Sequence, residues 1–313
     1  MVVILCMSLE LIACSTTSAP QVNDPYQGTI TISGAFALYP MMQRWAEEFH
    51  NAHPGVEFDI SAGGAGKGMT DVLSGAVDIG MISRDISTDE EAKGAYGISV
   101  TKDAVFPTVS SENPVLQDLM TNGISQKIFI GIFITGEITT WGQVVGRTEI
   151  TDEIHVYTRS DSCGASEVWA KYLGNNKQED LLGIGVSGDP GVVGAVAKDP
   201  LGIGYNNLNY AFDITTGKPV GGISVVPIDI NENGKADPEE ILATNTEAIS
   251  AVASGKYPSP PARQLYLATN GKPTGLPQTF IEWILTDGQK YVSESGYIQL
   301  TQDQLGASLA RVR

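Results

Sequence analysis

Residues 158–166 read TRSDSCGAS, and a helical pattern, EVWAKYLG, follows at 167–174. The preceding 154–158, IHVYT, has the β-branched and aromatic content of a strand. The stretch is therefore a strand-to-helix turn made of small and polar residues. Three readings are open for it. It is an ordinary helix cap, a nucleophile site on Cys163, or an anion cradle of N–H groups at a helix start.

The same form recurs along the chain. Residues 33–37, SGAFA, follow the β-rich 29–32 and lead into a helix. Pro40 suits that helix's first turn, and Met42, Trp45, Ala46 and Phe49 form its apolar stripe. Residues 63–68, GGAGKG, stand between an alternating strand at 56–60 and a helix carrying Met69, Val72 and Leu73. A fourth polar turn, 83–87, follows an apolar strand at 76–82. Helix N-termini converging on one cleft make an anion site from backbone N–H groups and dipole ends.

The remainder alternates in the same way. Residues 127–135, KIFIGIFIT, read as a strongly apolar strand. Further strands are expected at 202–205, 223–228 and 264–268, and further helices at 190–197, 239–253 and 279–292. Alternation of this kind implies an α/β fold with largely parallel sheets covered on both faces. No repeat with a period of 20–50 residues occurs, which argues against a solenoid.

The chain has 313 residues, 42% hydrophobic and 18% charged, with a formal net charge of −17. Such a composition is globular and large enough for two domains. The acidic surface argues against nucleic acid and against docking on anionic lipid. It is compatible with a small buried anion site, because fixed local dipoles outweigh distant screened charge. The first 20 residues are apolar up to Cys14 and polar beyond it. The apolar run is too short for a stable bilayer-spanning helix and fits an export signal. Residues 11–14, LIAC, resemble the lipobox of prokaryotic lipoproteins, with Cys14 as the lipidated residue and 15–27 as a polar tether. The competing reading is an N-terminal core strand. With Cys6 and Cys14 in the export segment, Cys163 is the one thiol of the body, so no internal disulfide is possible.

Each candidate site has a plainer alternative. The glycine loop lacks a hydroxyl after Lys67 and so fails as a nucleotide P-loop. What remains is an N–H-rich turn at Ala65 and Gly66 with one cation, or a simple tight turn. Ser83, Arg84 and Asp85 form a helix cap with a surface ion pair, or else place Arg84 in the cleft as a forked donor. Cys163 at a helix start is expected to have a lowered pKa, but His50, His53 and His155 are poorly placed to serve it as a base. Residues 229–240, DINENGKADPEE, match an EF-hand calcium loop at every specified position. Asp229, Asn231 and Asn233 would give side-chain oxygens, Lys235 its carbonyl, Asp237 a direct or water-mediated contact, and Glu240 both oxygens from the first turn of the next helix. A single such loop after a strand is a structural Ca2+ brace rather than a sensor. The alternative is a solvated acidic loop.

Taken in order, TISGAFALYPMMQRWAEEF, SAGGAGKGM, AVDIGMISRDI, the IFITGEITTW segment, TRSDSCGAS and LGIGYNNLNYA resemble the periplasmic phosphate-binding protein family. These proteins are the substrate receptors of ABC importers. The resemblance covers about residues 28–300 and implies a two-lobed type II periplasmic-binding-protein-like fold. Each lobe is then a mostly parallel sheet flanked by helices, with two hinge strands near Val105 and Tyr205 and closure over the anion. Lobe I would comprise 28–104 and 207–313, and lobe II 105–206. The implied anion contacts are the backbone at Ala35, Phe36, Ala65, Gly66, Cys163, Gly164 and Ala165. Arg159 and Arg84 would be charged donors, Asp161 would orient Arg159, and Lys67 would add a cation. Ser83 stands where the family has a proton-accepting Asp, and Cys163 and Ala165 stand where it has hydroxyls. The resemblance further implies a monomeric, extracytoplasmic receptor serving a membrane permease, with no enzymatic activity and membrane contact through the lipid anchor only. Phosphate is the first expectation for the ligand. Sulfate, molybdate or tungstate, or a calcium-braced surface scaffold of the same fold, are the alternatives.

Overall fold

The computed structural model describes residues 25–313. The export segment, Cys14 and most of the tether lie outside them. Eleven strands occur among the described residues: β1 (Gly28–Gly34), β2 (Val56–Ala62), β3 (Ile79–Ile82), β4 (Ala95–Ser110), β5 (Ile124–Ser125), β6 (His155–Arg159), β7 (Ile184–Val186), β8 (Gly202–Asn207), β9 (Ile223–Val225), β10 (Ile228–Asp229) and β11 (Ala262–Asn270). Nine of them form one sheet in the order β2-β1-β3-β11-β4-β8-β6-β7, with β9 also on β4; β10 and β5 make a separate pair.

β4 ties the molecule together. Its first part, through Ala104, pairs antiparallel with β11, and Val105–Val109 pairs antiparallel with β8. On one side, β1 runs parallel to β2 and β3, with Ile32 opposite both Ile60 and Ile79. On the other, β6 runs parallel to β8 and β7. The helices Tyr39–Ala52 and Ala65–Leu73 leave from β1 and β2, and the helices Gly164–Tyr172 and Gly188–Lys198 leave from β6 and β7. The parallel crossovers therefore bring these helix starts to the carboxyl ends of their strands, where ligands of open α/β sheets sit.

Two apolar cores flank β4. One gathers Ile30, Trp45, Phe49, Met81, Leu267 and Phe280. The other gathers Phe106, Phe129, Phe133, Trp141, Trp169 and Tyr205. Residues 208–257, assigned above to the first lobe, add Leu208, Phe212, Val252 and Tyr257 to the second core. By packing, the chain returns to the first lobe at β11.

Several elements differ from the sequence expectation. Residues 127–135 are a short α-helix, Gln126–Ile130, continued by a π-turn, Gly131–Thr135. A run that is apolar on every side does not separate a buried strand from a buried helix. The decision came from Ser125, whose hydroxyl caps Ile128 N–H, and from Phe129 and Phe133 packing edge-on against Trp169. The helix expected at 239–253 starts only at Asn245, where Thr244 and Glu247 form a reciprocal capping box. Glu240 consequently lies in a turn, not in a helix. Another helix, expected at 279–292, is broken at Thr286 into Gly275–Leu285 and Lys290–Glu294.

Candidate functional site

Arg159 ends β6, and its side chain is 1% exposed. Nε and Nη2 donate to the two carboxylate oxygens of Asp161 at 2.8 and 2.5 Å, and Nη1 donates to Asp189 Oδ2 at 2.6 Å. A guanidinium has five N–H bonds, so two remain for a ligand. Burial by itself would lower the Arg159 pKa, but Asp189 and Asp161 outweigh it and hold the group firmly charged. Burial would raise the Asp161 carboxyl; the hydrogen bonds and charge of Arg159 keep it below its ordinary value instead.

Asp189 is fully buried at the start of the helix Gly188–Lys198. It accepts from Asn207 N–H at 3.0 Å and from Asn207 Nδ2 at 2.8 Å. Arg159 is thus fixed between two carboxylates that are themselves fixed. Nothing in a GDPG turn distinguishes such a residue from a helix-start acid, so sequence reading overlooked it. Behind Arg159 runs a buried hydroxyl chain, from Thr158 Oγ1 through Tyr205 OH to Ser166 Oγ and Cys163 Sγ, at 2.5, 2.7 and 3.2 Å.

Cys163 is the N-cap of the helix Gly164–Tyr172, and its sulfur accepts from Ser166 N–H at 3.4 Å. Burial pushes its thiol pKa up, contrary to the lowering expected from the helix start. A neutral thiol that is already serving as a cap is not poised as a nucleophile. The N–H groups of Gly164 and Ala165 occupy the first two positions of this helix, where no carbonyl of their own helix can reach them.

Opposing groups come from the first lobe. The Phe36 ring lies under Arg159, 5.2 Å from its guanidinium carbon. Ser83 is 2% exposed and abuts the helix start: a Cβ added at Gly164 would lie 2.1 Å from Ser83 O. Gly66 N–H donates to Ser162 O across the cleft at 3.1 Å. The lobes are therefore in contact along the 158–166 segment.

The structure corrects several assigned donors. Ala35 N–H is spent on Met81 O at 2.8 Å, Gly66 N–H on Ser162, and Cys163 N–H on Gln178 Oε1 at 3.0 Å. Lys67 pairs with Asp71 one turn along its own helix. The Asp71 carboxyl, which burial would raise, is held low by hydrogen bonds from Lys67 and Ser33. Arg84 forks onto Glu90 at 2.9 and 2.6 Å and reaches Glu167 at 3.1 Å. Neither cation is free to face an anion; in a chain this acidic, each finds a carboxylate first. Ala65 is buried in the first turn of the helix Ala65–Leu73. The donors remaining around Arg159 are Phe36, Gly164 and Ala165 N–H and the Ser83 hydroxyl.

The 229–240 loop has turned in on itself. Asp229 accepts from Asn233 and Gly234 N–H at 3.1 and 2.9 Å, and Glu240 from Ile230 and Asp237 N–H at 2.8 and 2.9 Å. Asn231 and Asn233 give their amide N–H groups to Asp237 Oδ2. Lys235 N–H donates to Asn233 Oδ1 at 2.8 Å. Gly234 has φ +77°, as the sharp turn demands. Asp229 and Glu240 are 4% and 5% exposed, and neither forms an ion pair with a Lys or Arg among the described residues. No group of three or more His, Cys, Asp or Glu side chains set to hold a metal occurs among those residues. No helix there is long and apolar enough to cross a membrane.

Comparison with known proteins agrees with this fold. A family model described as a PBP superfamily domain matches residues 19–288. The phosphate-binding protein PstS of Bacillus subtilis (strain 168) is 29% identical over 290 residues, spanning 92% of this chain and 86% of that protein. Among solved structures, a Clostridium perfringens substrate-binding protein with bound phosphate superposes with a TM-score of 0.70 at 24% identity, over 88% of this chain and 100% of that one. An ABC-type phosphate transport receptor from Vibrio cholerae gives 0.62 at 20% identity, over 87% and 100%. The two-lobed fold expected from the sequence is the fold of these neighbours.

Proposed function

The chain belongs to the PBP superfamily, and from that membership we propose that it is an extracytoplasmic receptor that binds inorganic phosphate and passes it to an ABC permease. The carrying observation is Arg159, buried in the interlobe cleft, clamped by Asp161 and Asp189 and left with two N–H donors. Around it stand the helix start at Gly164 and Ala165, Phe36 N–H and the Ser83 hydroxyl. Fixed donors in a water-poor cleft suit a small tetrahedral anion, because the charge-assisted bonds are made without reorganisation. The names of the Bacillus subtilis and Vibrio cholerae proteins support phosphate. The receptor acts as a monomer and is held at the membrane by a lipid on Cys14; the LIAC sequence supports the anchor.

Ser83 favours a second ligand reading. A carboxylate facing the anion disfavours fully ionised sulfate, because two acceptors then oppose each other. With a hydroxyl at 83 that penalty is absent, so sulfate, molybdate or tungstate meet a weaker filter. Titration calorimetry with the four anions is the test. Phosphate is expected to release heat at micromolar concentration and sulfate to compete measurably. Absence of heat with all four would overturn the receptor reading.

Calcium is the proposed brace of the 229–240 loop. Two buried carboxylates with no cationic partner, and a glycine at the turn position, support it. Loading requires the Asn231 and Asn233 amides to turn their oxygens inward. Calcium well above its Kd is expected to raise Tm by about 5 °C or more, and Glu240→Gln to remove that rise. An identical Tm in calcium and in chelator would refute the brace.

A further inference from the structure

Arg159 is clamped in the second lobe, but the contacts that hold it run on into the first. Asn207 closes β8 and is buried. It gives its backbone N–H and its Nδ2 to Asp189, the carboxylate that takes Arg159 Nη1. The other end of the same amide, Oδ1, accepts from Arg263 Nη2. Arg263 belongs to β11, where the chain has returned to the first lobe. Its Nη2 also donates to Asp103 Oδ2 at 3.2 Å. Asp103 Oδ1 in turn accepts from the N–H of Leu208, the residue after Asn207, at 3.2 Å.

These groups lie where β4 leaves β11 for β8. Arg263 stands opposite Asp103 in the ladder of β11 and β4, and Asn207 stands opposite Val105 in the ladder of β4 and β8. Three strands therefore meet at three side chains. Along the series the charges alternate: Asp103, Arg263, the Asn207 amide with its oxygen toward the cation, Asp189, Arg159. The four ionic side chains are at most 5% exposed. In so dry a setting each hydrogen bond polarises the next.

An amide has one acceptor end and one donor end. Arg263 holds the acceptor end of Asn207, which leaves the N–H2 end to Asp189. Without that cation the oxygen would be buried without the partner it has here, and the amide would lose the contact that turns its N–H2 inward. Arg263 makes no other hydrogen bond, because Nε and Nη1 are buried and unpaired. Its polar contacts are thus all made through Nη2, on Asn207 and Asp103.

We infer that Arg263 is a positioning residue of the anion site, bracing through Asn207 the carboxylate that clamps Arg159. This role rests on the phosphate reading of the Arg159 cleft. Because the brace joins β11 to β8 where β4 changes partner, the clamp is tied to the junction of the lobes and not to the second lobe alone.

Arg263→Met keeps a buried stem and removes the guanidinium. Calorimetry is expected to show phosphate affinity about tenfold weaker than wild type. The same variant leaves Asp103 buried without its cation and so loses stability as well. The double variant Asp103→Asn/Arg263→Met removes both members of the ion pair and separates the two effects. Urea unfolding of the double variant is expected to recover most of the lost stability, while its phosphate affinity stays about tenfold down, since Asn207 Oδ1 still lacks a cation. Affinity that returns together with stability would make Arg263 a structural partner of Asp103 only, and would overturn its positioning role. If Arg263→Met does not fold, the double variant decides alone: wild-type affinity there overturns the role, and a tenfold loss supports it. A wild-type protein that binds no phosphate would overturn the phosphate reading and this role with it. Wild-type binding with unchanged affinity in the variants would overturn this role alone.

Discussion

Asp189→Ala is expected to destabilise the protein by about 3–5 kcal/mol and to cut phosphate affinity at least 100-fold. The substitution removes a carboxylate whose side chain is 0% exposed and leaves Arg159 Nη1 buried without its partner. It also releases Asn207, which spends both its backbone N–H and its Nδ2 on Asp189. The guanidinium then follows Asp161 alone, 2.5 Å away, and is no longer held from two sides. Urea unfolding measures the first effect and calorimetry the second. Asp189→Asn keeps the shape but turns one acceptor oxygen into an N–H2 donor, so it can serve either Asn207 N–H or the Arg159 and Asn207 side-chain donors but not both, and smaller losses of stability and affinity than in Asp189→Ala are expected. A variant that unfolds like wild type would show that Arg159 does not depend on its buried partner.

Gly164→Ala is expected to act by obstruction. A Cβ at Gly164 would meet Ser83 O at 2.1 Å and Ser83 Oγ at 2.5 Å. Both atoms belong to the opposite lobe, and both are backbone or close to it, so neither yields cheaply. Alanine is otherwise a better helix residue than glycine, so the helix Gly164–Tyr172 gains locally. The cost falls on the closed state. Phosphate affinity is expected to drop about 100-fold, the arithmetic of a closed population disfavoured by ~3 kcal/mol. Small-angle scattering with phosphate present is expected to show a wider particle than wild type. Wild-type affinity in Gly164→Ala would mean that the ligand-bound protein does not close at this point.

Sequence reading located the walls of the cleft better than their wiring. Strand, small polar residues and helix start are encoded locally, so the turns at 33–37, 63–68 and 158–166 were legible. Which N–H groups stay available was not, because Met81 O, Ser162 O and Gln178 Oε1 reach them from far along the chain. The fate of Lys67 and Arg84 depended on the nearest carboxylate, and Asp71, Glu90 and Glu167 look like ordinary helix-surface acids in a chain with 36 acidic residues. KIFIGIFIT failed for another reason. Its apolar residues are buried against Trp169 and Tyr205 from several directions, and only the Ser125 cap signalled a helix.

The undivided strand β4 has a consequence for how the molecule comes apart. Its backbone is bonded to β11 over one half and to β8 and β9 over the other. Melting either lobe would strip one flank of a rod on which the other still depends. The chain also crosses between the two cores more than once, entering the second at β4 and leaving it at β11. No single cut yields a self-contained half, so the two lobes are expected to unfold as one cooperative unit, seen as a single calorimetric transition.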